Sequence, residues 1–300
     1  MKIYMENVDF NSWSGPNQFG KKLAMAFLEK KHQIVKAEDN PDIQLSFIRS
    51  ARKVAPLVQR LDGIHYNPNK DWQRANKSIF NTYQIADGVI FQSEFSERLC
   101  TNFFGKHDNT FVIQNGTDLE AISKIAPFEH SFADRFDKIW SCSSRWTNRP
   151  NKRLKENIEY FLEKSGKNDG MIVIGPDSKN IVENERIFYL GKASWEMCIS
   201  VYKRSDYFIH LSFVDNCPNV VVDAVASDCH VICPSCAGSE EIAGPNSTVI
   251  EDFKWDFKTP IDPAQPPKLN FDDIRQGRYN VSYDIKSVAN KYIDVFRRLL

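Results

Sequence analysis

Two acids frame the most chemically suggestive part of the chain, the segment DNCPNVVVDAVASDCHVICPSCAGSEEI at 215–242. Pro218 cannot continue a strand but suits the first position of a helix, with Asn216 or Cys217 near the cap. A helix over about 217–227 follows. Asp215 then lies in the loop before it, and Asp223 lies inside it on the same face as Asn219. The other faces, Val220 to Val222 and Ala224 to Ala226, are small and apolar, as a buried helix requires. A carboxylate in such a helix is costly unless something satisfies it. A pair of ligand hydroxyls would do so, Asp215 would accept from a second sugar, and backbone N–H groups at 217–220 would face a phosphate. The bland alternative turns Asp223 toward solvent and makes Asp215 a capping acid. Residue chemistry leaves both open.

Other reactive side chains fall just after apolar runs. Arg145 follows KIWSCS, and Lys152 and Arg153 open the next helical stretch. Cations at a helix start oppose its dipole, a cost more easily understood if an anion such as a diphosphate sits there. A solvated basic loop is the competing account. Gly15, after the first apolar run, permits a tight turn at a helix start that attracts phosphate, or is part of an ordinary connection. Neither the Gly-Lys-Ser/Thr of a P-loop nor a three-glycine dinucleotide fingerprint is present. Asp62 and His65 follow VAPLVQRL and are candidates for acid–base work or for orienting an acceptor hydroxyl. An Asp-Gly turn with a surface histidine is the plainer reading. Gly175 and Gly191 each end an apolar run and let a ligand or a neighbouring strand come close. Asn115-Gly116 reads as a turn.

These residues need a frame. KIYMENV, HQIVKA, IQLSFI, VAPLVQRL, GVIFQS and TFVIQN read as buried strands, with helical spacing in PNQFGKKLAMAFLEKK and DWQRANKSIFNTYQIA. Around 128–138 the stretch FEHSFADRFDK reads as a polar linker. The pattern then restarts with KIWSCS, MIVIGP, RIFYLG, YFIHLS, HVICPS and STVIED, and helices near 152–165, 194–204 and 217–227. Strand–helix alternation predicts an α/β chain with parallel sheets. The expected domains are 1–130, 131–283 and a closing helix over 284–300, with Val288, Tyr292, Phe296 and Leu299 on one face, packing on the first domain. Two such halves imply a cleft, with ligands outside the carboxyl ends of the strands. TPIDPAQPPKLNFDD is Pro-rich and reads as extended.

Composition narrows the function classes. Lys+Arg and Asp+Glu both number 39, so the net charge is zero and the basic excess of a nucleic-acid or anionic-membrane binder is missing. The first ten residues carry acids and no long apolar core, and no later run approaches a membrane span, which predicts a cytoplasmic protein. Seven cysteines fit no disulfide framework. Cys233 and Cys236 have the spacing of a zinc or redox pair, but no second pair accompanies them, and Cys233 in an apolar run reads as a small hydrophobe.

The 215–242 segment resembles the donor-site signature of glycosyltransferase family 4, a group of retaining enzymes of the GT-B fold. Asp215 and Asp223 fall on its two acids and Glu241 on its trailing acid. SSRWTNRPNKRL is similar to the family's Arg…Lys element, at Arg145 and Lys152, and IQNGTD to its Asn-Gly turn between domains. Both signature acids are Asp where Glu is usual, Asn216-Cys217-Pro218-Asn219 replaces the usual Gly-Phe-Gly, and the first half is short. The resemblance implies two Rossmann-like domains facing across a cleft, with the C-terminal helix crossing back to the first. It implies transfer of a sugar from a nucleotide diphosphate sugar to an acceptor hydroxyl, without a metal or other cofactor. Asp223 would hold ribose hydroxyls and Asp215 the donor sugar, helped by Asn216, Cys217 and Asn219. Arg145 and Lys152 would neutralise the leaving diphosphate. Gly15 would close over the phosphates, and Gly175, Gly191 and Glu241 would line the donor. Asp62 and His65 stand as acceptor-orienting candidates. The acceptor is a saccharide, a lipid-linked group or a protein, with peripheral membrane contact allowed and nucleic acid disfavoured by charge. An inactive nucleotide-sugar-binding protein and a GT-B nucleotide-sugar epimerase are the alternative readings.

Overall fold

Strands buried on both faces need apolar residues at consecutive positions, and helices between them need one apolar stripe. Every apolar run named above is a strand core in the computed structural model, which describes residues 1–12, 14–176 and 181–300. The first unit runs β1 (Lys2–Glu6), α1 (Gly15–Glu29), β2 (Gln33–Val35), β3 (Ile43–Phe47), β4 (Leu57–Leu61), α2 (Trp72–Ile85), β5 (Gly88–Phe91), α3 (Glu94–Phe104) and β6 (Thr110–Val112). All its strand pairings are parallel, in the order β2-β1-β3-β4-β5-β6. Side-chain caps start α2 and α3: Asp71 accepts from the Arg74 amide and Ser93 from the Ser96 amide.

The second unit contains α4 (Leu119–Ser123), β7 (Lys138–Ser143), α5 (Leu154–Lys164), β8 (Asp169–Ile174), β9 (Ile187–Gly191), α6 (Trp195–Arg204), β10 (Tyr207–Ile209), α7 (Asn219–Val225), β11 (His230–Pro234), α8 (Ser239–Ala243), β12 (Thr248–Ile250) and β13 (Ile274–Gln276). Its sheet order is β13-β12-β11-β10-β7-β8-β9, parallel except for the antiparallel edge strand β13. The sequence pattern gave no sign of that strand, which follows the Pro-rich stretch and exposes Ile274.

The compact units are Met1–Asp118 with Trp255–Asp262 and Ser282–Leu300, and Leu119–Lys254 with Pro263–Val281. The first therefore ends at Asp118, not at 130, and it includes a short piece from the middle of the second half. Trp255 and Phe257 pack there, at 4.9 Å from Tyr66 and 5.4 Å from Phe95 respectively. Nor is the 128–138 stretch a polar linker. Its phenylalanines at 128, 132 and 136 recur at helical spacing and pack within the second unit, Phe132 against Phe136 and Phe188.

The returning helix, α9 (Ile285–Leu299), buries Val288, Tyr292 and Phe296 with Leu299 partly covered. It lies against α1 through Phe27–Phe296 and Phe19–Tyr292 ring contacts. The Asn-Gly turn receives it: the Thr117 amide donates to the Tyr283 carbonyl and the Ile285 amide to the Thr117 carbonyl. A Cβ on Gly116 would press to 2.9 Å from Val288, so this glycine permits close approach of α9.

Candidate functional site

In an open parallel sheet, ligands gather where the chain reverses its direction of travel across the strands. In the second unit the chain runs outward from β7 through β8 and β9, then returns to the other side of β7 as β10 and continues through β11. The reversal lies between β7 and β10. The loops leaving those two strands carry Arg145, Lys152 and Asp215.

Hydrogen bonds tie the two loops together. The Phe213 amide donates to the Asn151 carbonyl at 2.7 Å, and Asn157 of α5 accepts from the Leu211 amide at 3.2 Å. Val214 is held at φ 56, a left-handed backbone that a β-branched residue adopts at a cost of about 1–3 kcal/mol. Next to it, the Asp215 carbonyl accepts from the Gly238 amide at 3.0 Å, which fixes the loop to the start of α8.

The centre is a four-residue cluster. The Lys152 ammonium forms an ion pair with Asp215 Oδ2. His210 Nε2 lies 3.5 Å from the same oxygen, and the Ser212 hydroxyl lies 3.4 Å from it. All three contacts reach Oδ2 and none reaches Oδ1. Burial pushes the Asp215 carboxyl upward, but the Lys152 ammonium, then the His210 ring, outweigh it and hold the group well below the usual carboxylate range. Burial depresses the His210 imidazole, and its neighbour Asp215 pulls back without cancelling the effect. An ionised carboxylate with one oxygen anchored is suited to accepting a hydroxyl hydrogen bond with the other.

Neighbouring cations take different parts. Lys152 ends a short 3₁₀ turn, Pro150–Lys152, and α5 begins only at Leu154. Arg153, expected with Lys152 as a basic opening to the helix, is instead buried with φ 52. Its guanidinium meets Asp252 at 2.6 and 3.3 Å, donates to the Pro267 carbonyl, and stands over the Phe213 ring. It braces the loop and takes no part in the cluster. Arg145 is exposed.

Asp223 is buried in α7, and its Oδ2 accepts from the Trp195 indole N–H at 3.0 Å. The carboxylate does not point to bulk water, and its partner comes from the start of α6. Helix α7 is shorter than expected, Asn219–Val225, with Pro218 as its cap. Asn216 is half-buried, Cys217 is buried, and Asn219 is the first helical residue. Glu241 is buried in α8 beside Glu240, which Arg275 of β13 clamps at 2.7 Å through two nitrogens.

The glycines divide. Gly175 has φ 132, and an added Cβ would collide with the Ser144 carbonyl and reach 2.9 Å from the Trp146 indole nitrogen. The close approach is to the chain's own backbone. Gly191 has φ 73 with open space beside it. Gly15 is the exposed first residue of α1.

In the first unit, Asp62 at the end of β4 forms an ion pair with Arg60 and accepts from Gln92 at 2.6 Å. Arg60 is fully buried and lies over the Phe19 and Phe47 rings. It also donates to the Tyr292 hydroxyl of α9 and to Asn115. Asp62 is thus the counter-ion of a buried arginine. The His65 side chain is exposed, while its backbone is held by Asn76. Burial pushes both thiols of the 233/236 pair up; Cys233 is a core residue of β11 and Cys236 is half-buried just beyond it.

His210, Trp195 and Ser212 were absent from the sequence-based set. The signal for His210 was present: a polar ring inside the apolar run YFIHLS. Trp195 gave none, since its contact with Asp223 joins separate helices.

No protein-family profile matches the sequence, and no curated protein matches it. Solved structures do. HepE of Anabaena, in complex with UDP and glucose, is 13% identical with a TM-score of 0.63, over 99% of this chain and 100% of that one. AviGT4, a glycosyltransferase involved in avilamycin A biosynthesis, is also 13% identical with a TM-score of 0.63, over 100% and 98%. The sucrose-phosphate synthase of Thermosynechococcus elongatus is 12% identical with a TM-score of 0.69, over 100% and 99%. At such identities the likeness carries the fold, and the fold is the GT-B architecture of paired Rossmann-like units.

Proposed function

We propose that this chain is a retaining glycosyltransferase that moves a sugar from a nucleotide diphosphate sugar to an acceptor hydroxyl, without a bound metal. The observation that carries the reading is the Lys152–Asp215–His210 cluster at the reversal point of the second sheet. It stands in a fold shared with HepE in complex with UDP and glucose, and with a UDP-glucose complex of the same protein. Asp215 Oδ1 accepts a hydroxyl of the donor sugar. Lys152 shares its charge between Asp215 and the diphosphate as negative charge develops on the leaving group. Exposed Arg145 adds a second cation. Asp223, steadied by Trp195, accepts from the ribose hydroxyls. Since Asp is one methylene shorter than Glu, the ribose must sit closer to α7 by roughly one C–C bond, ~1.5 Å.

Incubation with a panel of UDP-, GDP- and ADP-sugars, with and without EDTA, tests the proposal. Release of nucleotide and transfer or hydrolysis of the sugar, unaffected by EDTA and with the anomeric configuration kept, is the expected result. Binding without product favours the inactive binding protein, and an altered free nucleotide-sugar favours the epimerase.

A further inference from the structure

We propose that His210 is a positioning residue for Asp215: its Nε2–H steadies Oδ2 so that Oδ1 faces the donor sugar. The inference rests on the assignment of Asp215 to that sugar. His210 directly follows β10, and its amide donates to the Ile232 carbonyl at 2.8 Å, so the sheet fixes where the ring begins. The ring stacks parallel to Phe208, with 10° between planes. Only 4% of the residue is exposed, and Nε2 is enclosed without a hydrogen-bond partner of ordinary geometry, 3.5 Å from Oδ2.

A buried ring nitrogen left this way costs stability. An apolar residue would fill the strand end without that cost, so the histidine is better explained by work at the carboxylate. Burial keeps the ring neutral, and a neutral ring presents one N–H without adding charge. This distinguishes it from Lys152, a full cation at the end of a long side chain that a diphosphate would draw toward itself. As Lys152 turns to the leaving group, the ring closes on Oδ2 and keeps Asp215 oriented. When the cation leaves with the charge, the ring and the Ser212 hydroxyl stay beside Oδ2.

The test compares wild type, His210→Leu and His210→Gln, using UDP affinity by calorimetry and turnover of whichever UDP-, GDP- or ADP-sugar the wild type consumes. His210→Leu is expected to lower kcat by about tenfold or more, the size of one hydrogen bond to a charged group. Nucleotide affinity should stay within about twofold, because the ring does not contact the nucleotide. His210→Gln, whose amide supplies an N–H, should recover much of kcat. Leu retaining wild-type kcat, Gln recovering no more than Leu, or both variants losing nucleotide affinity in proportion to kcat overturns the role. Should the variants fold poorly, 15N shifts of His210 in the wild type decide: an Nε2–H tautomer is expected with nucleotide-sugar bound, and an Nδ1–H tautomer refutes the proposal. A wild type that neither binds nucleotide nor consumes any donor removes the functional reading first and this inference with it.

Discussion

Lys152 and Arg153 are adjacent cations that the sequence presents as one basic element, yet their surroundings assign them opposite work. Arg153→Met leaves the Asp252 carboxylate, 1% exposed in its side chain, without its bidentate partner. It also removes the donor to the Pro267 carbonyl and the cation over Phe213. Removing one member of a buried ion pair costs about 3–5 kcal/mol. For a unit of this size that is a drop of about 6–20 °C in melting temperature, at about 2–4 °C per kcal/mol. Lys152→Met removes a cation that is still 16% exposed and leaves Asp215 with His210 and Ser212 beside it. Its stability cost is expected to be smaller, about 1–3 kcal/mol, while donor turnover falls by orders of magnitude. Urea melts give the totals, and hydrogen exchange by mass spectrometry locates the loss in peptides from β7, α5 and β10. Asp252→Asn in the Arg153→Met background should restore part of the stability, since it removes the stranded charge. An Arg153→Met variant within 1 kcal/mol of wild type, or one that stays stable but loses turnover as Lys152→Met does, would refute the division of labour.

Other consequences follow from single contacts. Asp223→Ala should abolish nucleotide binding by calorimetry, and Trp195→Phe should weaken it by about tenfold through loss of one hydrogen bond to a carboxylate; unchanged affinity in Asp223→Ala removes the ribose role. Gly175→Ala places a Cβ against the Ser144 carbonyl at φ 132 and should cost at least about 1–2 kcal/mol, read as a lowered melting temperature. Stability should also fall on acidification. The His210 pKa is depressed in the folded protein, so the unfolded chain binds more protons as pH drops below about 6.5. Asp215 is likewise depressed; its contribution is complete above about 3.9 and is lost as pH falls toward its folded value. His210→Leu should flatten the first part of the stability–pH curve and Asp215→Asn the second.

Local signals carried the strands well. Runs such as KIWSCS and MIVIGP are buried on both faces, and that demand is written in consecutive residues. Pairing across long sequence distances was less legible. Nothing near Arg153 announces Asp252, and nothing near Asp62 announces that Arg60 is enclosed by Phe19, Phe47 and Tyr292. In the 128–138 stretch charges outnumber phenylalanines, and the partner that covers Phe132, Phe188, lies far along the chain where the local sequence does not show it. Gly175 shows the same limit: a glycine at a strand end signals close approach, but only coordinates reveal that the approaching group is the Ser144 carbonyl.

The topology explains why the acid and the cation meet at all. Lys152 and Asp215 lie far apart along the chain, but β7 and β10 are neighbours because the chain turns back there. Had it continued outward past β9, the loop bearing Asp215 would have emerged strands away from Lys152. The same reversal, between β1 and β3, occurs in the first unit, where Glu6 accepts from Gln44 and from the Ala51 amide at the strand ends. Those partners are a neutral amide and a backbone N–H. The first unit's reversal point thus carries an acid held by neutral donors, whereas the second carries an acid paired with a cation. On the proposed function, that asymmetry favours the second unit as the place for the diphosphate. Asp215→Asn should accordingly loosen Lys152 and preserve nucleotide binding while turnover falls, and loss of both together would show that Asp215 holds the loop and not the sugar.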